Sequence, residues 1–142
     1  MNKKISISRL IMRSLVSRAV SKGSGEGTVN AKITESLCGW VERRGYCRNC
    51  GMDEVAEELG VSREQLAFYF HSVVAEGFIS WRTRHRIRYA MTLLEDFPSM
   101  PASLVGETVG IPDKSDFRKL FRKHTGLSPL EWRASRLERL GH

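Results

Sequence analysis

No apolar run in the 142-residue chain approaches the ~20 residues that a bilayer-spanning helix needs. The first residues are basic, but Arg9, Arg13 and Arg18 interrupt any signal-peptide core, so no stable membrane insertion and no secretion are expected. Cysteine is scarce. Cys38, Cys47 and Cys50 make an odd count, which does not build a disulfide framework and fits reduced thiols in a cytoplasm. Alternating apolar patterns and hairpin dipeptides are missing, which argues against a sheet. There is no Ser/His/Asp logic and no phosphate-cradling glycine loop, and the carboxylates fall mainly on exposed helix faces or caps. The chain is therefore not expected to be an enzyme, and no cofactor is implied.

What the sequence does hold is positive charge. The net charge is +7, unevenly spread. Residues 1–50 carry ten Lys/Arg against three acids, residues 51–100 five against eight, and residues 101–142 eight against five. An anionic partner follows, nucleic acid first and an anionic membrane surface second.

Residues 1–22 hold six basic residues and no acid, with Ile7, Leu10, Ile11, Leu15 and Ala19 near helical spacing. This segment reads as a disordered or DNA-tethering basic arm, or as an amphipathic helix on lipid. Gly23 to Gly27 then read as a flexible linker and a domain boundary. From about Asn30 to Arg44, Ile33, Leu37, Trp40 and Val41 form one helical stripe, with Gly45 as the stop. A short helix from Asp53 to Leu59 ends at Gly60. Ser62 is an N-cap candidate for a second helix that buries Leu66, Tyr69, Phe70, Val73 and Val74. Helix, short glycine-bearing turn and helix is the composition of a helix-turn-helix. A long helix from about Phe78 to Glu95 follows, with Trp81, Ile87, Ala90, Met91 and Leu94 along one side and Pro98 and Pro101 beyond its end. The pattern then returns. Leu104, Val105 and Val109 precede Gly110, and Asp113 is an N-cap candidate. Phe117, Leu120 and Phe121 face inward, and a last helix from Pro129 docks through Trp132 and Leu137. The expected fold is all-α: two homeodomain-like three-helix subdomains, each a helix-turn-helix, joined by a long linker helix. The expected divisions are an arm and linker (1–27), a first unit (28–77), the linker helix (78–97) and a second unit (98–142).

These residues also carry a family likeness. Gly126-Leu127-Ser128-Pro129-Leu130-Glu131-Trp132-Arg133 is similar to a G-x-x-P-x-x-[YW]-R ending, and Phe117-x-x-x-Phe121-Arg122-Lys123 stands just before it. Val55-Ala56-Glu57-Glu58-Leu59-Gly60-Val61-Ser62, followed by Leu66 and Phe70, has the form of a first unit. Arg86, Ala90, Leu93 and Leu94 keep the linker-helix register. From about Cys38 to Arg136 the chain resembles the DNA-binding domain of AraC/XylS-type transcription regulators. The resemblance implies two recognition helices that read successive major-groove segments of double-stranded DNA, and a structural arginine at Arg86. The departures from the family pattern are Gly106 for alanine, Ile111 for phenylalanine, and Ala75 for the glycine that ends the first recognition helix. With Gly77 nearby, the last exchange is expected to displace that turn.

The non-core face of the first recognition helix holds Arg63, Glu64, Ala67, Phe68 and His71, and the resemblance puts the base-contacting positions on Glu64, Ala67 and Phe68. Glu64 suits cytosine N4, and Ala67 or Phe68 suits a thymine methyl; alternatively this unit docks mainly by shape. The second helix offers Lys114, Ser115, Arg118, Lys119, Arg122 and Lys123. Arg118 suits a bidentate contact with guanine O6 and N7 or, failing that, a phosphate clamp, and Lys119, Arg122 and Lys123 suit phosphates. Arg82, Arg84 and Arg88 read as a solvated face. Cys47-x-x-Cys50 with Cys38 leaves metal binding, redox switching and plain turn cysteines open, and no metal ligand set is assigned because four closed ligands are lacking.

The reading is a sequence-specific transcription regulator that partners double-stranded DNA and RNA polymerase in the cytoplasm as a monomer or weak dimer. The alternative is a membrane-surface or protein-interaction module with decayed DNA binding. Residues 1–27 are too short for a ligand domain, so the chain is expected to be a stand-alone DNA-binding form or the output piece of a larger ancestor.

Overall fold

The computed structural model describes residues 25–140, which form seven α-helices and no strand. The basic arm of residues 1–22 lies outside the described residues. The helices are α1 (Gly25–Glu42), α2 (Met52–Leu59), α3 (Arg63–Tyr69), α4 (Phe78–Asp96), α5 (Ala102–Thr108), α6 (Lys114–Thr125) and α7 (Pro129–Leu140). A 3-10 turn (Gly45–Cys47) follows α1, and a π-helical turn (Phe70–Val74) extends α3. The chain divides into two compact units, one through Trp81 and one from Arg82. The boundary falls inside α4, so the first turn of the expected linker helix belongs to the first unit and the rest to the second.

In the first unit, α1 begins about five residues earlier than its apolar stripe suggested and includes Gly25 to Gly27, read above as linker. Packing overrides the poor helix propensity of glycine here: Gly27 and Asn30 are buried. The Thr34 hydroxyl donates to the Asn30 carbonyl at 2.9 Å. Its single proton is thus engaged, so the Tyr69 hydroxyl donates to Thr34 Oγ1 across the 2.6 Å contact that ties α3 to α1. Burial pushes the Tyr69 phenol up to about 12, which keeps it a donor. Trp40, Phe70, Phe78 and Trp81 form an aromatic cluster in which Trp40 stacks on Trp81 at 6.0 Å and Phe70 meets Trp81 edge-on at 5.2 Å. Helix α1 stops at Glu42, and Arg44, not Gly45, takes the left-handed conformation (φ 58°).

Local signals set the turn between α2 and α3. Gly60 adopts φ 71° and closes α2. Ser62 and Gln65 form a reciprocal capping box: the Ser62 hydroxyl accepts from the Gln65 N–H at 3.1 Å, and Gln65 Oε1 accepts from the Ser62 N–H at 3.0 Å. The end of α3 departs from expectation. The turn is not displaced toward Gly77; Ala75 itself takes φ 59° and donates its N–H to the Phe70 carbonyl. A left-handed alanine costs roughly 1–2 kcal/mol. Ala75→Gly is therefore expected to raise the stability of the unit by about 0.5–1 kcal/mol, after glycine's larger unfolded-state entropy is discounted. An unchanged or lower urea midpoint would contradict this.

The core of the second unit holds Ile87, Leu94, Val105, Val109, Phe117, Phe121 and Trp132. Asp113 caps α6 by accepting from the Asp116 N–H at 2.9 Å, and Gly126 (φ 84°) ends it. Leu104 and Leu137, both expected inside, are 46% and 43% exposed. Leu104 stands roughly 100° round α5 from buried Val105, and Leu137 roughly 140° round α7 from buried Trp132, so both turn away from the core. Leu120, also expected inside, is half-buried. Gly106 is required by close approach: an added Cβ would lie 2.8 Å from the Ile111 carbonyl oxygen and 3.0 Å from the Phe117 ring. The helix-turn-helix is thus drawn tighter here than alanine would allow.

On α4, Arg86 is buried and donates to the Gly110 carbonyl at 3.1 Å, which fixes the turn of the second unit. Arg82, Arg84 and Arg88 are half-buried, and Arg82 Nε and Arg84 Nε are fully shielded, so the run is not the solvated face expected. His85 is buried, and desolvation, with Arg88 and Arg84 adding, pushes its imidazole down to about 4. In the unfolded chain the imidazole protonates near 6.5, so the unfolded state takes up the proton first as pH falls. The stability contribution is whole above about 6.5 and is lost toward about 4. Between pH 7.5 and 5 the chain is expected to lose about 2 kcal/mol more than His85→Gln. Parallel loss in both proteins would remove His85 as the cause.

Candidate nucleic-acid interface

All eleven candidate reading residues are exposed. In the first unit, Glu64, Ala67, Phe68 and His71 recur at i, i+3, i+4 and i+7, which puts them on one face running from α3 into the π-helical turn. Phe68 is 48% exposed, an aromatic ring left open on a helix that buries Leu66 and Tyr69. Arg63 is drawn elsewhere: its guanidinium reaches back to the Asp53 carboxylate of α2 at 3.1 and 3.2 Å. Both partners are well exposed, so the pair is weak and a phosphate could replace the carboxylate at little cost. A second ion pair, Arg48 to Glu58 at 2.6 and 2.7 Å, ties the cysteine-bearing turn to α2.

In the second unit, 100° per residue sets the six candidates on α6 in two adjacent rows, Lys114–Arg118–Arg122 and Ser115–Lys119–Lys123. Phe117 and Phe121 anchor the opposite side in the core. The first row lines a cavity of about 330 Å³ that reaches to α5 and the start of α7. Lys119 borders a second hollow together with Arg82, Thr83 and Pro112. Sequence reasoning did not assign Arg82 and Thr83 to this surface, because a run of alternating arginines carries no signal of which ones turn toward α6. Arg122, Lys123 and His124 also stand in the last turn of α6, where positive charge favours the helix end; that alone would account for part of the basic cluster.

The G-x-x-P-x-x-W-R segment builds the support of this surface. Ser128 and Glu131 cap α7 reciprocally at 3.1 and 3.2 Å, with Pro129 at its first position. The Ser128 side-chain and backbone hydrogen bonds, with Arg122 nearby, hold the Glu131 carboxyl below its usual range. Trp132 packs edge-on against Phe121 at 6.2 Å, and the Arg136 guanidinium lies 4.9 Å from the Trp132 ring centre. The Arg133 guanidinium donates to the carbonyls of Leu94, Phe97 and Met100 at 3.1, 3.3 and 2.6 Å. Nothing in the motif's spacing signals the task of Arg133, which is to hold the end of α4 and the loop beyond it.

Cys38 and Cys47 are half-buried and Cys50 is buried. Among the described residues, no group of three or more His, Cys, Asp or Glu side chains could hold a metal ion, and no helix is long and apolar enough to cross a membrane.

Comparisons with known proteins agree with this architecture. The arabinose operon regulatory protein of Escherichia coli K12 is 36% identical over 86 residues, which is 61% of this chain and 29% of that protein. The uncharacterized HTH-type transcriptional regulator YijO of the same organism is 30% identical over 128 residues, 88% of this chain and 44% of that protein. The chain thus spans less than half the length of these relatives. Among solved structures, the C-terminal domain of AraT, a response regulator from Geobacillus stearothermophilus, superposes with a TM-score of 0.58 at 29% identity, covering 68% of this chain and 84% of that one. The DNA-binding domain of AdpA, a global transcriptional factor solved with a target DNA, shares the fold with a TM-score of 0.68 at 22% identity, over 78% of this chain and 96% of that one. A family model described as a helix-turn-helix domain matches residues 55–135. That match takes in more than half of the sequence and both helix-turn-helix units, and the chain belongs to the AraC/XylS-type family of transcription regulators.

Proposed function

We infer that the chain is a sequence-specific, double-stranded DNA-binding transcription regulator that uses α3 and α6 as its two reading helices. The observation that carries this reading is the double row of exposed cations and serine on α6, set on a helix that the Asp113 cap, Phe117 and Phe121 hold rigid. Major-groove readers need such a helix, with side chains free to meet base edges and others free to meet phosphates. In this reading Arg118 takes guanine O6 and N7. Lys119, Arg122 and Lys123 take phosphates. The first unit contributes apolar contacts from Ala67 and Phe68, an acceptor in Glu64, and His71 and Arg63 toward the backbone. One chain supplies two unlike reading faces, so a monomer suffices for an asymmetric site. The action is cytoplasmic, with RNA polymerase as the protein partner at the promoter.

The test begins with selection of bound sequences from a random duplex pool, followed by binding titrations at several salt concentrations. Arg118→Ala is expected to lose about 1–3 kcal/mol on the selected site and to relax base preference at one position. Lys123→Ala is expected to weaken selected and random duplexes alike and to reduce the salt slope by about one. Equal losses on both duplexes for Arg118→Ala would reduce it to a phosphate contact. No enrichment from the pool would end the reading.

A further inference from the structure

We propose that the cavity beside α6 is a binding site for a small amphipathic anion, an aryl or alkyl carboxylate, whose occupancy competes with DNA for Lys114 and Arg118. The competition rests on the functional reading above; the binding itself does not.

The lining has two chemistries. Its floor and walls are apolar, formed by Ala102, Gly106, Ile111, Pro112, Phe117 and Leu130. Its rim carries the row Lys114, Arg118 and Arg122. A volume of about 330 Å³ stands at the small end of the range for ligand pockets. A bare phosphate gains nothing from Phe117 and Leu130, and a neutral apolar ligand gains nothing from the cations. A molecule with one anionic end and one apolar body satisfies both.

Three further observations favour this occupant. Leu130 is 63% exposed, more than any other large hydrophobic residue among the described ones, and it stands at this mouth, where a ligand's apolar body would cover it. No side-chain hydrogen bond or ion pair among the described residues engages Lys114 or Arg118, so both can take an anion without breaking a partner. Glu131, also on the rim, faces Arg122 electrostatically. Its negative charge steers a carboxylate away from the α7 side and toward Lys114 and Arg118 at the N-terminal end of α6.

The experiment uses the full chain, isotopically labelled for NMR, with 1-naphthoate as probe and 1-naphthamide as its uncharged counterpart. Saturable shifts are expected at Ala102, Gly106, Ile111 and Leu130, with the amide at least tenfold weaker. Ala102→Phe, which fills the cavity without removing a cation, is expected to abolish naphthoate binding while the selected duplex still binds. Naphthoate is expected to displace the duplex from the unaltered chain and not from Ala102→Phe. The proposal is overturned if shifts are absent to the solubility limit, if they scatter over cations elsewhere, if the amide binds equally well, or if Ala102→Phe retains binding. The naphthoate–naphthamide comparison needs no variant, so it decides the matter even if Ala102→Phe fails to fold. If the unaltered chain binds no duplex, the DNA reading fails and the naphthoate shifts still decide the cavity.

Discussion

Gly45→Ala is expected to cost the first unit about 3 kcal/mol or more, toward the upper end for overpacking a core. An added Cβ would stand 2.3, 2.4 and 2.6 Å from Cε2, Nε1 and Cδ2 of the Trp40 indole. That ring has little room to retreat. It is 1% exposed, stacks on Trp81 at 6.0 Å and meets Phe78 at 6.3 Å. Relief requires either moving the aromatic cluster or pulling the 3-10 turn off α1. Gly51→Ala is the control, since nothing lies within 4 Å of a Cβ there, and a change of no more than about 0.5 kcal/mol is expected. Urea unfolding followed by tryptophan fluorescence reads both variants. Equal midpoints for the two would show that the indole yields freely.

Arg133→Met carries the second large effect, a loss of about 2–4 kcal/mol from the second unit. The last carbonyls of a helix have no partner within it, and the Leu94 carbonyl of α4 is one of them. Arg133 Nε supplies its donor at 3.1 Å, and the same guanidinium holds the carbonyls of Phe97 and Met100. Methionine keeps much of the apolar stem and removes all three donors. Arg133→Lys is expected to recover less than half of the loss, because one ammonium cannot span three carbonyls in a planar fork. Full recovery by lysine would mean that charge near the helix end, rather than the fork, matters. Thermal unfolding of the three proteins at one pH separates these outcomes.

These two residues also mark where sequence reasoning stopped. Gly60, Ser62, Asp113 and Gly126 were legible because each acts within its own turn, through a positive φ or a side chain reaching a nearby N–H. The apolar stripes were legible at their centres, Leu37, Leu66, Leu94 and Phe121, and misleading at Leu104 and Leu137, apolar residues that their helices turn toward solvent. Gly45 looked like a helix stop, yet its job is to let an indole pass, and Arg44 bears the left-handed turn. At Ala75 the turn closes at positive φ on a residue with a Cβ, which residue type alone does not signal. For the candidate interface, the sequence set Lys114, Arg118 and Arg122 on the open face of one helix, where the structure puts them in one row. It did not reveal that the row borders a cavity, or that Arg63 turns back to Asp53, because both depend on neighbouring elements.

The boundary inside α4 bears on how such a chain can be inherited. Phe78 and Trp81 complete the aromatic cluster of the first unit, and the next residue, Arg82, already belongs to the second. A recombination crossover at Gly77 would strip one parent of half of that cluster, and one after Trp81 would fall in mid-helix.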